Sequence, residues 1–175
     1  MGISTKKGDD GITGLPNTSE RVPKDDPLIE YLGTLDELDA ILALGEISLK
    51  SDRKTETAAL VAEIRQKLTD IMAVNTAETA KNTQWLEQQI ARAEKEMPIR
   101  DFIRSWSNNA AAYLNTARTI CRRAERRLIT ALLDSTVIEK NIAKPVSAAD
   151  WKIMLPFLNR LSDLLFLLAV SENDK

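Results

Sequence analysis

The chain contains no histidine and a single cysteine, Cys121, among its 175 residues. Without histidine, neither a Ser-His-Asp nor a Cys-His nucleophile can be assembled, and no imidazole can ligate a metal. With one thiol, an internal disulfide and a two-cysteine zinc site are excluded as well. Long apolar runs are also missing: the longest unbroken one, Leu164 to Val170, has seven residues, against about 20 for a membrane span. No charged-then-apolar leader opens the sequence, and Lys6 stands where a myristoylation signal needs Ser or Thr. Charge of one sign is absent too, since 24 Lys+Arg against 26 Asp+Glu leave a net −2. A surface wrapping nucleic acid would be strongly basic, so any cationic excess here is local. These features predict a soluble, cytoplasmic protein with no nucleic-acid and no membrane partner. The chemistry left to it uses carboxylates, Lys and Arg, backbone N–H groups and bound cofactors or substrates.

A chain of this length forms one domain, and it buries about two thirds of its unfolded surface without disulfide or metal support. Residues 1–175 are therefore expected to be a single helical domain. Four of the six glycines, Gly2, Gly8, Gly11 and Gly14, fall in a stretch without periodicity; the first 25 residues are predicted to be a flexible loop or tail. Asp26-Pro27 is a helix start, with an N-cap followed by proline at the first helical position. Leu28, Leu32, Leu35, Leu38 and Leu42 then recur at helical spacing, and this helix is expected to reach about Leu49. Leu60, Ile64, Leu68 and Ile71 mark a second helix. Leu86, Ile90, Ala93 and Met97 mark a third, stopped by Pro98. Asn108 or Asn109 can cap a fourth, whose stripe Ala110, Leu114, Ala117, Cys121, Ala124, Leu128 and Ala131 repeats at alternating steps of four and three, the seam of a bundle. Residues 134 to 148 lose the pattern, and Ser147 then precedes a fifth helix carrying Trp151, Met154, Leu158, Leu161, Leu165 and Leu168 on one face. Pro156 requires that helix to kink or to start later. The expected fold class is all-α, an antiparallel five-helix bundle with a glycine-rich N-terminal loop.

Three segments carry candidate chemistry. Thr5-Lys6-Lys7-Gly8-Asp9-Asp10-Gly11-Ile12-Thr13 places glycines, hydroxyls and lysines on exposed backbone. Such a loop suits a polyphosphate, with an Asp available to magnesium, although a solvated tail has the same composition. Arg118 to Arg127 holds five arginines and one glutamate, a local charge of +4. Arg118, Arg122 and Glu125 follow the core residues Ala117, Cys121 and Ala124 by one position each, so they flank the seam and are expected to be half-buried. Arginine's planar fork there fits phosphate or carboxylate, and a solvated face of ion pairs is the alternative. On the last helix, Asn159 and Ser162 likewise follow Leu158 and Leu161; a buried Asn can fix register in a bundle or meet a ligand. Thr34, Asp36 and Glu37 lie beside Leu35, and Phe102 stands alone among Arg100, Asp101 and Arg104, as a plug at the bundle end or a lid.

Taken together, these segments resemble the ATP:cob(I)alamin adenosyltransferases of the propanediol-utilisation type from end to end. Thr5-Lys6-Lys7-Gly8-Asp9-Asp10-Gly11-Ile12-Thr13 is similar to the family's Thr-Lys/Arg-x-Gly-Asp-x-Gly-x-Thr. Lys24-Asp25-Asp26, Gly33-Thr34-Leu35-Asp36-Glu37-Leu38, Ala117 to Arg126 and Phe157-Leu158-Asn159-Arg160-Leu161-Ser162-Asp163 follow in the family's order. The resemblance implies a homotrimer with active sites between subunits, and transfer of the 5′-deoxyadenosyl group of ATP to cob(I)alamin with release of triphosphate. It implies that Thr5, Lys6, Gly8, Asp9, Gly11, Thr13 and Lys24 fold over the triphosphate with Mg2+, and that Arg122, Glu125 and Asn159 hold ATP from the helices. Arg122, Asp36 and Arg118 take the catalytic positions, with Arg118 and Asp36 pairing across subunits. Phe102 takes the position of the aromatic that helps expel the lower axial ligand of cobalamin. A flavoprotein reductase supplying the corrinoid and a cobalamin-dependent enzyme receiving the product are the further partners implied. Where the family has Leu-Pro-Gly-Gly-Thr, this chain has Arg104-Ser105-Trp106-Ser107-Asn108. On that difference rests the alternative of a non-catalytic trimer that binds ATP or cobalamin as a regulator or carrier.

Overall fold

Helix boundaries in this protein follow from its caps. A computed structural model describes residues 6, 8–15, 21–96, 105–134 and 147–173. Two short strands, β1 (Ile12–Gly14) and β2 (Arg21–Pro23), pair antiparallel with Thr13 opposite Val22. Helix α1 (Pro27–Ser51) starts where the Asp26 carboxylate accepts the Leu28 N–H at 2.8 Å, with Pro27 in the first turn. It ends at Arg53, whose φ of 59° lets Lys54 N–H reach back to Leu49 O at 2.9 Å. The end of α2 (Thr55–Met72) repeats this device at Val74, φ 54°. α3 spans Thr76–Glu96, and α4 spans Asn109–Asp134. Asn108 caps α4 by accepting the Ala111 N–H at 2.9 Å.

The predicted fifth helix is two helices. Ser147 and Asp150 form a capping box on the one-turn α5 (Ala148–Lys152), and α6 (Met154–Asn173) follows after Ile153. The break answers the Pro156 problem: the proline becomes the third residue of α6, within the turn whose N–H groups have no intrahelical acceptor.

The α4 stripe predicted from spacing is buried along its whole length, and its four alanines let neighbouring helices approach closely. α4 packs against α1 on one side and α6 on the other, while α2 rests on α1 and α3 on α6. The stretch Ala148–Asn173 has a composition apolar enough to cross a membrane. In this fold it is a core element, with Phe157, Leu158, Leu161, Leu164 and Leu165 fully buried. Cys121 also lies in the seam, donating to Leu158 O at 3.2 Å, and burial pushes its thiol pKa upward. Buried Glu46 accepts from Lys50 and Arg65, which hold its carboxyl below the usual carboxylate range.

The expectation that the first 25 residues lack strand structure needs correction. Leu15 and Val22, 6% and 3% exposed, insert from the hairpin into the core. Three-residue strands are too short to show alternation, so the apolar anchor of this segment is visible only in three dimensions.

Candidate functional site

Helical geometry sets Arg118, Arg122 and Glu125 along one flank of α4, beside the line where α6 packs. Arg118 is half-buried. Its Nε donates to Asn115 Oδ1 at 2.9 Å, and its guanidinium carbon lies 5.9 Å from the centroid of the Phe166 ring. That is within cation–π range, and stacking leaves the edge of the fork open. Arg122 is exposed rather than half-buried, and it makes no hydrogen bond or ion pair among the described residues. Glu125 is half-buried and accepts from Asn159 Nδ2 of α6 at 3.3 Å. Ser162 is buried and donates to Asn159 O at 2.8 Å.

Between these helices lies an open cleft of about 390 Å3, lined by Trp106, Asn115, Arg118, Arg122, Ser162, Asp163 and Phe166. It combines two guanidinium groups, one carboxylate and two aromatic faces. Such a lining can hold an anion by paired N–H donors while flat apolar surface covers the rest of the ligand. Two of the other three arginines of the cluster turn toward α1. Arg123 pairs with Glu37, and Arg127 pairs with Glu30 at 3.3 Å, both across to α1. These exposed pairs contribute little to stability. The charge run thus has two faces, one of helix–helix ion pairs and one of open cations.

In the N-terminal segment Lys24 is tied to the turn that carries Gly8 and Gly11. Lys24 Nζ donates to Gly8 O at 2.6 Å, and Lys24 N–H donates to Gly11 O at 2.9 Å. Gly11 has φ +79°, a conformation that favours glycine, whereas a Cβ at Gly8 would come within 3.1 Å of Lys24 Nζ, the movable tip of a side chain. Asp10 accepts from both terminal nitrogens of Arg21 at 3.1 Å and from Ile12 N–H at 3.1 Å. The Arg21 guanidinium holds the Asp10 carboxyl below its ordinary range. Asp9 is exposed, as are Lys6 and Lys24, and Thr13 is half-buried on β1. The lining of the cleft includes none of these hairpin residues. Asp36 is exposed on α1 and makes no hydrogen bond or ion pair among the described residues. Thr5 and Phe102 lie outside the described residues.

Two site residues were not predicted. Phe166 forms a wall of the cleft, and Asn115 holds Arg118. For Phe166 a signal existed: Asn159, Ser162, Asp163 and Phe166 fall at steps of three, one and three, one helix face. Trp106, which differs from the family pattern, is part of the same wall. Ser107 fixes it by donating N–H to Asn173 Oδ1 at 2.7 Å and Oγ to Asn173 O at 2.8 Å, and Asn108 donates to Glu172 O at 2.6 Å.

The two central helices thus present two arginines, one carboxylate and aromatic walls to one cleft, and the Asn159–Glu125 bond joins the same two helices outside its lining. The chain belongs to the cobalamin adenosyltransferase family, whose sequence model, described as Cobalamin adenosyltransferase, matches residues 3–172. The chain is 36% identical over 177 residues to the corrinoid adenosyltransferase of Bacillus subtilis, covering 95% of this chain and 83% of that protein. It is 31% identical over 185 residues to the corrinoid adenosyltransferase PduO of Citrobacter freundii, covering 99% of this chain and 50% of that one. The chain thus spans half the length of that relative. Among solved structures it is similar to a variant PduO-type ATP:corrinoid adenosyltransferase from Lactobacillus reuteri complexed with cobalamin and ATP, with a TM-score of 0.77 and 26% identity over 99% of this chain and 94% of that one.

Proposed function

We propose that this protein transfers the 5′-deoxyadenosyl group of ATP to cob(I)alamin, giving adenosylcobalamin and triphosphate. The observation that carries the reading is the cleft where Arg118 and Arg122 meet, between the two helices that the Asn159–Glu125 bond joins, in a chain that the cobalamin adenosyltransferase family model matches over residues 3–172. In the reaction, the electron pair of cobalt(I) forms the Co–C5′ bond as the C5′–O bond to triphosphate breaks, so no histidine base is required. Arg122, with no competing ion pair among the described residues, meets the negative charge that develops on the leaving triphosphate. Glu125 and Asn159 hold the nucleotide from the helices. Thr5, Lys6, Gly8, Asp9, Gly11, Thr13 and Lys24 close over the phosphates, and Phe102 serves the corrinoid.

Mg2+ fits this arrangement. Asp10 is committed to Arg21, whereas the Asp9 carboxylate has no partner among the described residues, and one carboxylate with phosphates and water suffices for Mg2+. The homotrimer is supported by exposed apolar side chains on the two packed helices α1 and α4, with Ile47 62% and Leu133 77% exposed. Within that trimer the open carboxylate of Asp36 is available to Arg118 of a neighbouring copy. We read residues 1–175 as one catalytic unit, cytoplasmic, with 1–25 as its nucleotide-binding loop, working with a flavoprotein reductase and a cobalamin-dependent enzyme. The test is to incubate the protein with ATP, magnesium and chemically reduced cobalamin and follow loss of the cob(I)alamin absorbance. ATP binding without any loss of that absorbance would leave a non-catalytic binding trimer instead.

A further inference from the structure

Asn159 stands between two groups of opposite hydrogen-bonding character. Arg160 NH1 lies 2.6 Å from its Oδ1, and Glu125 Oε1 lies 3.3 Å from its Nδ2. A guanidinium only donates and an ionised carboxylate only accepts, so these neighbours admit one orientation of the amide. The two bonds differ in strength. The short, charge-assisted bond from Arg160 is the firm one, while the long contact to Glu125 alone leaves the terminal amide torsion broad. Arg160 is itself held by Glu87 of α3 at 3.4 Å and by Asp163, a cleft residue, at 3.7 Å. A chain of contacts therefore runs from α3 through α6 to α4, ending at Glu125. Among the described residues the second N–H of Asn159 and Oε2 of Glu125 have no hydrogen-bond partner, a donor beside an acceptor.

We propose that Arg160 is a positioning residue for the nucleotide: it fixes the Asn159 amide so that its free N–H and the free oxygen of Glu125 face ATP together. The proposal rests on the reading of Asn159 and Glu125 as ATP-binding residues. Arg160 acts through Asn159 and does not itself touch ATP. Its ion pairs are about half exposed, with side-chain exposures of 41% for Arg160 and 53% for both Glu87 and Asp163, so its removal leaves the bundle folded.

A double-mutant cycle on the full chain separates the roles, with ATP affinity read by calorimetry and KM measured for ATP and for the corrinoid. Arg160→Met is expected to weaken ATP binding about tenfold, as loss of a charge-assisted hydrogen bond does. The corrinoid KM stays unchanged, and Arg160→Lys recovers a large part of the loss. Asn159→Ala weakens ATP binding as well, and adding Arg160→Met to it costs nothing further. If the two losses instead add, Arg160 reaches ATP or acts elsewhere, and the positioning role is overturned. Wild-type ATP affinity in Arg160→Met, beside a weakened Asn159→Ala, overturns it too while leaving the site reading intact. Wild-type affinity in Asn159→Ala overturns the site reading and this proposal with it. Should Arg160→Met unfold, Glu87→Gln loosens the same arginine from α3 and is expected to weaken ATP binding about twofold; no change there would count against the chain of contacts.

Discussion

The α4–α6 flank and the N-terminal hairpin carry the two halves of the proposed ATP site and are built in different ways. The flank stands on a buried seam: Arg118 and Arg122 project from a helix whose inner face is fully packed, so their backbone positions are held by apolar burial. The hairpin stands on two buried side chains, Leu15 and Val22, and on exposed polar bonds from Lys24 and Arg21. Burial resists salt and pH, whereas exposed ion pairs are screened and titrate. A rigid flank can hold a leaving group in register, and a lightly anchored hairpin can close over it.

Breaking the flank should have the largest effect. Arg122→Ala is expected to lower kcat by at least about a hundredfold, with the melting temperature unchanged, because the side chain is exposed and leaves the seam filled. Lysine at this position recovers only part of the rate, since an ammonium does not reproduce a planar fork. A near-normal rate in the alanine variant removes Arg122 from the site. The same helix offers the opposite result: Leu128→Ala, in the seam at 0% exposure, should cost about 2–5 kcal/mol in denaturant unfolding.

Breaking the hairpin should be milder and confined to the nucleotide. Lys24→Met removes the bond to Gly8 O and is expected to weaken ATP binding about tenfold with little change in the corrinoid KM. Hydrogen exchange sharpens the point. The paired amides near Thr13 and Lys24 should be partly protected without nucleotide and become more protected with MgATP; equal exchange in both states would remove the hairpin from the phosphate site.

The pH response should separate the two regions further. Because Arg21 depresses the Asp10 carboxyl, the contribution of this pair to the hairpin is present above the ordinary Asp value of about 3.9. It is lost as pH falls through the lower folded value. Amide NMR shifts of Ile12 and Arg21 should report that loss at acidic pH, while seam residues such as Leu114 stay unchanged. Asp10→Asn should abolish the transition. The smallest effect is expected at Arg123, on the α1-facing side of the cluster: Arg123→Ala should change stability by under about 1 kcal/mol and leave kcat intact. A large loss of rate there would erase the distinction between the two faces of α4.

Helix seams were legible in the sequence because helix periodicity is local and the core is apolar. The 4-3 spacing from Ala110 to Ala131 and the Asp26-Pro27 start needed only neighbours in the chain, while the α4 cap was narrowed to Asn108 or Asn109 and fixed as Asn108 by the structure. The motif order likewise pointed to the family, because it concerns which residues follow which. Tertiary structure alone decided which partner each flanking group meets. Arg122 and Arg123 are adjacent in sequence, yet one faces the open cleft and the other meets Glu37 of α1, because a step of about 100° along a helix changes which neighbour lies opposite. The same holds for the orientation of the Asn159 amide, set by Arg160 and by a glutamate 34 residues away. The hairpin's hold on the core was invisible for a related reason: Val22 in a three-residue strand and Leu15 just after the other form no pattern until the helices beneath them are in place.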